Sequence, residues 1–245
     1  MEGSILALWA HPRARSSAVG RMMCERGDFA VKDEPFMAYY YFSDERISER
    51  RGDVEPDPAA RFDAVLQGLL REAEQHPVFI KDHAYHVASR ASPAVLRHFR
   101  STFLIRDPAH SLPSLYARMP DFTLQETGYA ALFNLFELAR QVEGASPVVI
   151  DADELVEQPD AAVKAYCDAV GVSFVAQALQ WSDGLHAAMN ADWGGWYQHL
   201  AKSRGFARQE NPDYIAVSHN PHLARAYEHC LPFYRALHAH RLRIR

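Results

Sequence analysis

Cysteine is scarce in this chain: three in 245 residues, at Cys24, Cys167 and Cys230. An odd, widely scattered set with no ligand spacing excludes a disulfide framework and a cysteine-held zinc site. Glycine and proline are modest too, 12 and 14, which excludes collagen-like, mucin-like and largely disordered chains. Positive charge is in deficit: 26 Lys and Arg against 31 Asp and Glu leave a formal net charge of -5. A main partner that is nucleic acid or anionic membrane needs a large basic surface, so neither is expected. No apolar run approaches the roughly 20 residues that span a bilayer. The opening MEGSILALWA has a short apolar run and no basic flank, so no signal peptide is expected and a cytoplasmic protein fits best.

What remains is an ordinary globular composition, 48% hydrophobic and 23% charged, long enough to bury a core as one domain over 1-245. Five short apolar runs each end in a polar cluster: Ile5-Trp9, Phe29-Val31, Val78-Ile80, Thr102-Ile105 and Val148-Ile150. Between them lie helical patterns, one capped by Ser16-Ser17 and running to Arg26 with Gly27 as stop, one from Pro58 to Gln75, one after a Thr123-Glu126 capping box, and one from Pro159 to Val170. Continuous apolar strands alternating with helices predict an α/β fold, three-layered, with a mostly parallel central sheet buried on both faces. The segment 181-220 reads as a long loop or lid, 221-242 as a C-terminal helix, and Arg241, Arg243 and Arg245 as a solvated tail.

In open α/β sheets ligands bind beyond the carboxyl ends of the strands, where this chain puts its charged clusters. After the first strand, His11-Pro12-Arg13-Ala14-Arg15-Ser16-Ser17 turns directly into a helix. Backbone N-H groups, two hydroxyls and two guanidiniums there suit a phosphate, although surface arginines beside an ordinary capped helix would read the same way. The Gly-x-x-x-x-Gly-Lys-Ser/Thr loop of nucleoside triphosphatases is absent. Arg106, at the end of the fourth strand, with Ser111 and Ser114 following, is a second anion clamp or a simple Arg-Asp turn.

In this order the residues resemble the sulfotransferases that use 3'-phosphoadenosine-5'-phosphosulfate (PAPS). Pro12-Arg13-Ala14-Arg15-Ser16-Ser17 resembles their 5'-phosphosulfate loop, with Arg15 where the family has Gly. Arg106 followed eight positions later by Ser114 resembles the 3'-phosphate motif, in which the Ser leads a helix. Lys81-Asp82-His83 is similar to the family's Lys-x-His, and Val148-Leu155 with Pro159 and Gly171-Val172 to a stretch these enzymes share. The resemblance runs from about Ile5 to Phe174. Ala18 stands where many members have an adenine-stacking Trp, and Lys202-Ser203-Arg204-Gly205-Phe206 takes the place of an Arg-Lys-Gly loop.

The resemblance implies PAPS as co-substrate, PAP as product and a P-loop-like fold. The implied cofactor contacts are Arg13, Ala14, Arg15, Ser16, Ser17, Arg106 and Ser114. A strand period of two puts Phe79, Lys81 and His83 on one face. His83 is then expected as general base, with Lys81 and Arg13 steadying charge on the leaving oxygen. His86 is an alternative base. His83-x-x-His86 lacks a third ligand in spacing, so no metal is expected. Glu34, Phe36, Tyr40, Trp193 and Trp196 are candidates for binding a small-molecule hydroxyl acceptor. Two other readings stay open: a phosphotransferase using Asp151 for magnesium, and a non-catalytic nucleotide- or partner-binding module. A homo-oligomer is compatible with all of them.

Overall fold

The computed structural model describes residues 5–189, 195–206 and 214–244. Its elements run β1 (Ile5–Ala10), α1 (Ser16–Arg26), β2 (Ala30–Asp33), α2 (Met37–Phe42), α3 (Phe62–Ala73), β3 (Val78–His83), α4 (Ala84–Val87), α5 (Pro93–Leu96) and β4 (Phe99–Ile105). They continue with α6 (Pro108–Tyr116), α7 (Tyr129–Glu143), β5 (Val148–Asp151), α8 (Ala152–Glu157), α9 (Pro159–Val170), α10 (Gln198–Ala201) and α11 (Pro221–His238). Among the described residues the strands form one sheet in the order β2-β3-β1-β4-β5. Every pairing is parallel.

The apolar runs are strands because both sheet faces are covered. Leu6, Leu8 and Ala10 of β1 pack with Val19 and Met22 of α1 and with Val163, Tyr166 and Val170 of α9. Ile5, Ala7 and Trp9 pack on the opposite side with Phe62 and Leu66 of α3 and Leu132 and Phe136 of α7. Right-handed crossovers require this division: α1 carries the chain from β1 outward to β2, while α3, α5 and α7 serve connections running the other way. Arg100 of β4 locks the rear of the sheet, donating to the carbonyls of Val170 (2.6 Å) and Ala169 (3.0 Å) at the end of α9.

Connections from the neighbouring strands β1 and β3 leave in opposite directions, which opens a crevice at their carboxyl ends. The register brings Ala10 beside His83 and Leu104. His11, Glu34, His83 and Arg106 therefore lie at one sheet edge, each at or one residue beyond a strand end.

Several expectations are corrected. Arg15, not a serine, is the N-cap of α1 and gives no side-chain cap. The capping box forms, with Glu126 N-H donating to Thr123 Oγ1 (3.2 Å) and Thr123 N-H to Glu126 Oε2 (2.7 Å). It closes a 3-10 turn, however, and α7 starts only after Gly128 (φ 78°). Ser114 sits well inside α6 and does not lead it. Arg241 is not solvated: its Nε pairs with Glu154 Oε1 at 2.7 Å, beside the Leu242 N-H to Val149 carbonyl bond (2.8 Å).

Gly128 has two constraints at once. Its φ is positive, and a Cβ there would meet Pro12 Cδ at 3.0 Å and His11 Cβ at 3.1 Å. Gly128→Ala is expected to destabilise the domain by roughly 1–3 kcal/mol, read as a lowered urea midpoint with an unchanged m-value.

Candidate active site

The His11-Ser17 turn folds back tightly because Arg13 (φ 63°) and Arg15 (φ 65°) both adopt left-handed backbone. Glu34 (φ 52°) is the other non-glycine residue with positive φ among those described, and all three line one cavity. Such backbone costs about 1–3 kcal/mol per residue and concentrates at functional sites. Ser16 and Ser17, in the first turn of α1, line the same cavity. A helix start facing a cavity is an anion-binding surface.

Arg13 and Arg106 are cross-linked. Arg13 Nε donates to Ser114 Oγ (2.9 Å), and Arg106 NH1 donates to the Arg13 carbonyl (3.1 Å). Arg106 Nε is buried without a hydrogen-bond partner; Asp153 Oδ1 stands 3.7 Å away, the same distance at which it meets Arg15. Burial, then the charge of Arg15, lowers Arg106 to about 10. Burial also lowers Arg13. Buried guanidiniums pushed below their ordinary value are short of negative charge, and a bound dianion would supply it.

His11 holds these two loops together. Its Nε2 accepts the Arg106 N-H (3.1 Å), and Nδ1 lies 3.0 Å from the Pro12 carbonyl. Only the neutral ring with its proton on Nδ1 satisfies both. The ring stacks on Tyr129 at 4.0 Å, whose hydroxyl donates to the Arg106 carbonyl (2.6 Å). Burial lowers His11 to about 3.

The cavity floor is acidic and imidazole-rich. Lys81 Nζ contacts Asp33 Oδ1 at 2.6 Å and Glu34 Oε1 at 2.7 Å. Tyr197 OH donates to Asp33 Oδ2 (2.7 Å). Burial would lower Lys81, but the facing Asp33 and Glu34 raise it well above the ordinary value. Burial would raise Glu34, but His83 and Lys81 hold it at about 2. His83 Nε2 lies 3.7 Å from Glu34 Oε1, and burial lowers His83 to about 3, so the ring is neutral at pH 7. Asp82 Oδ1 meets His86 Nδ1 at 2.6 Å and accepts the His83 N-H (2.7 Å); Oδ2 accepts the Phe36 N-H (2.7 Å).

A sequence model described as a sulfotransferase domain matches residues 4–241. The chain belongs to the sulfotransferase domain family. Two Arabidopsis thaliana proteins, branched-chain-amino-acid aminotransferase-like proteins 2 and 1, are 28% and 27% identical over 251 and 246 residues. These matches cover 96% and 98% of this chain but 42% of each relative, so the domain spans under half their length. The sulfotransferase domain of the Synechococcus PCC 7002 olefin synthase superposes with a TM-score of 0.55 at 14% identity, over 92% of this chain and 93% of that one. That of the curacin biosynthetic pathway gives 0.50 at 14%, over 92% and 96%. These likenesses establish the fold.

Within this sulfotransferase domain, Arg13, Arg15, Ser16, Ser17, Glu34, His83, Arg106, Ser114 and Trp196 meet at the cavity. Lys81 does not: it shares the His83 face but sits two residues, roughly 6.6 Å, deeper in the sheet, fully buried. Ala14 buries its methyl in the core and spends its N-H on the His11 carbonyl (3.3 Å). Phe36 is core, stacked on Phe62 at 4.8 Å, and Tyr40 packs behind Tyr41 and Tyr85. Tyr41 and Tyr85 face the cavity instead. Trp193 lies outside the described residues. Ala18 lines the cavity, as do Ser203, Gly205 and Phe206, whereas Arg204 pairs outward with Asp183 (2.9 Å). Sequence reasoning placed His11 in the turn but missed its bridging role, and missed Tyr129 altogether.

His11 and His83 titrate near 6.5 when unfolded but near 3 when folded. Between those values the unfolded chain binds more protons, so stability falls as pH drops below 6.5. His11→Gln keeps an acceptor for the Arg106 N-H and removes one of the two titrations. Its loss of urea midpoint between pH 7 and pH 5 should be smaller than that of the unmodified chain; an equal loss would contradict the assignment.

Proposed function

We propose that this domain transfers a sulfuryl group from PAPS to a hydroxyl of a small molecule. The observation that carries this reading is the meeting of two cross-linked cationic anion sites with a neutral imidazole on one cavity. Arg13, Arg15, Ser16 and Ser17 take the 5'-phosphosulfate, and Arg106 with Ser114 takes the 3'-phosphate. His83 removes the acceptor proton as the hydroxyl oxygen bonds to sulfur. The bond from sulfur to the 5'-phosphate oxygen breaks, PAP leaves, and Arg13 stabilises charge on the departing oxygen.

Lys81 acts at one remove. It holds one oxygen of Glu34, and Glu34 in turn faces His83. Tyr41, Tyr85, Met37 and Met119 line the cavity, which favours an uncharged, partly apolar alcohol or phenol over a polyanionic sugar. Transfer itself needs no metal in this scheme, since a sulfuryl group carries less charge than a phosphoryl group.

The phosphotransferase reading loses support from Asp151. Its Oδ1 caps α8 by accepting from the N-H groups of Asp153 (2.9 Å) and Glu154 (3.2 Å), and its Oδ2 accepts from Tyr234 OH (3.1 Å). The burial of Lys81 favours a binding-only module, and the exposure of His83 to the cavity favours catalysis.

Calorimetric titration with PAP, against adenosine 5'-phosphate in chelator, tests the donor site. Binding that requires the 3'-phosphate is expected; equal or absent binding of the two nucleotides overturns the reading. Arg106→Ala should weaken PAP by about 10- to 100-fold, the loss of one charge-assisted contact. His83→Ala should abolish transfer while PAP affinity changes less than about threefold. Tight PAP binding with no transfer to any alcohol or phenol would select the binding-only module.

A further inference from the structure

Glu34, His83 and His86 arrive on the cavity floor from two different strand ends. Each offers a ligand atom, and the three atoms lie within 4.8 Å of one another. Two ring nitrogens of this set, His83 Nδ1 and His86 Nε2, are buried with no hydrogen-bond partner. Buried polar atoms left unpaired are uncommon and call for an explanation. The transfer scheme explains one lone pair on His83 and does not use His86.

The surroundings are those of a metal ligand set. Asp82 Oδ1 holds His86 Nδ1 at 2.6 Å, which puts the ring proton on Nδ1 and leaves Nε2 as the lone-pair nitrogen. Glu34 Oε1 is fixed from behind by Lys81 Nζ at 2.7 Å. The Lys81 charge is in turn balanced by Asp33 at 2.6 Å, so it does not repel a cation from this site outright. His83 and His86 stand with ring centroids 5.3 Å apart, and both line the open cavity, which supplies a route for an ion.

We propose that Glu34, His83 and His86 form a binding site for a divalent transition-metal ion of the zinc class, with Asp82 orienting His86 from outside the ligand set. Two imidazoles and one carboxylate suit zinc and its neighbours, and leave a fourth position for water or a ligand. Magnesium and calcium prefer all-oxygen sets and are poor occupants. Metal-ligand bonds of about 2.0–2.2 Å place the ligand atoms of a tetrahedral site roughly 3.4 Å apart. Binding an ion therefore has to draw the three ligand atoms together from their present spread of up to 4.8 Å. Occupancy ties up His83, so the ion inhibits transfer. That consequence rests on the sulfuryl-transfer reading, whereas the binding site does not.

The test uses the full chain stripped with chelator and titrated with Zn2+ alone, with Co2+ as a spectroscopic probe. One equivalent of Zn2+ is expected to bind at micromolar or tighter Kd, and Co2+ should give the visible bands of a four-coordinate ion. Glu34→Gln, on the cavity wall, should weaken Zn2+ at least tenfold, and Asp82→Asn should weaken it about 10- to 100-fold. His86→Ala should abolish the Co2+ bands; because His86 is buried, Glu34→Gln and the unmodified chain carry the test if that variant fails to fold. Absence of saturable binding, or binding that Glu34→Gln leaves unchanged, overturns the site. Where transfer is measurable, Zn2+ should inhibit it and chelator should restore it. Undiminished transfer with the ion bound would overturn the assignment of His83 as a ligand. A chain that binds Zn2+ at these residues but never PAP would sink the transfer reading and leave the metal site standing.

Discussion

Parallel pairing of β1 with both β3 and β4 is the constraint on which the remaining geometry depends. The central strand is buried along its whole length, so its register with its neighbours cannot slip by one residue without turning Leu6 and Leu8 away from α1 and α9. With that register held, the ends of β1, β3 and β4 finish side by side. The chain must then turn at His11, His83 and Arg106 in one small volume. The charged chemistry is concentrated there because the sheet admits no polar side chain elsewhere without a partner.

Two opposed electrostatic surfaces result. Arg13, Arg15 and Arg106 crowd one wall, where burial weakens the hold of Arg13 and of Arg106 on their protons and the charge of Arg15 adds to the effect on Arg106. Glu34 lines the other, held from below by Lys81, which also binds the buried side chain of Asp33. A ligand with anionic groups at one end and a neutral, hydroxyl-bearing partner at the other meets complementary surroundings along the cavity. His11 makes the cationic wall a single unit, because one neutral ring joins the first loop to the start of the second. The backbone strain at Arg13, Arg15 and Glu34 is tolerated because both walls are over-determined by packing and hydrogen bonds.

On the two proposed readings, the imidazoles on the floor would give one cavity mutually exclusive states. A neutral His83 can accept a proton from a hydroxyl or donate its lone pair to a cation, but not both at once. Asp82 supports either state by fixing His86 and the backbone of His83 and Phe36 together. Lys81 serves both as well, since its work is to hold Glu34.

Local chemistry by itself determined a good deal. Continuous apolar runs with charged ends specified a buried parallel sheet, because only strands covered on both faces can be apolar throughout. Gly27 and Gly171 marked helix ends, and both occur in left-handed backbone at those ends. The Arg13-Ser17 turn, Arg106 and His83 were legible as strand-end chemistry. Depth and direction were not. The period of two placed Lys81 and His83 on one face but carries no information on where the cavity floor lies, and Lys81 falls below it. Aromatic density after β2 took in Phe36, Tyr40 and Tyr41 alike, and only the fold turned Tyr41 to the cavity and sent Phe36 into the core. Glu34 is 49 positions before His83, so no local spacing could join it to the histidines. Only the pairing of β2 with β3, which sets Asp33 beside Lys81, brings that carboxylate to them.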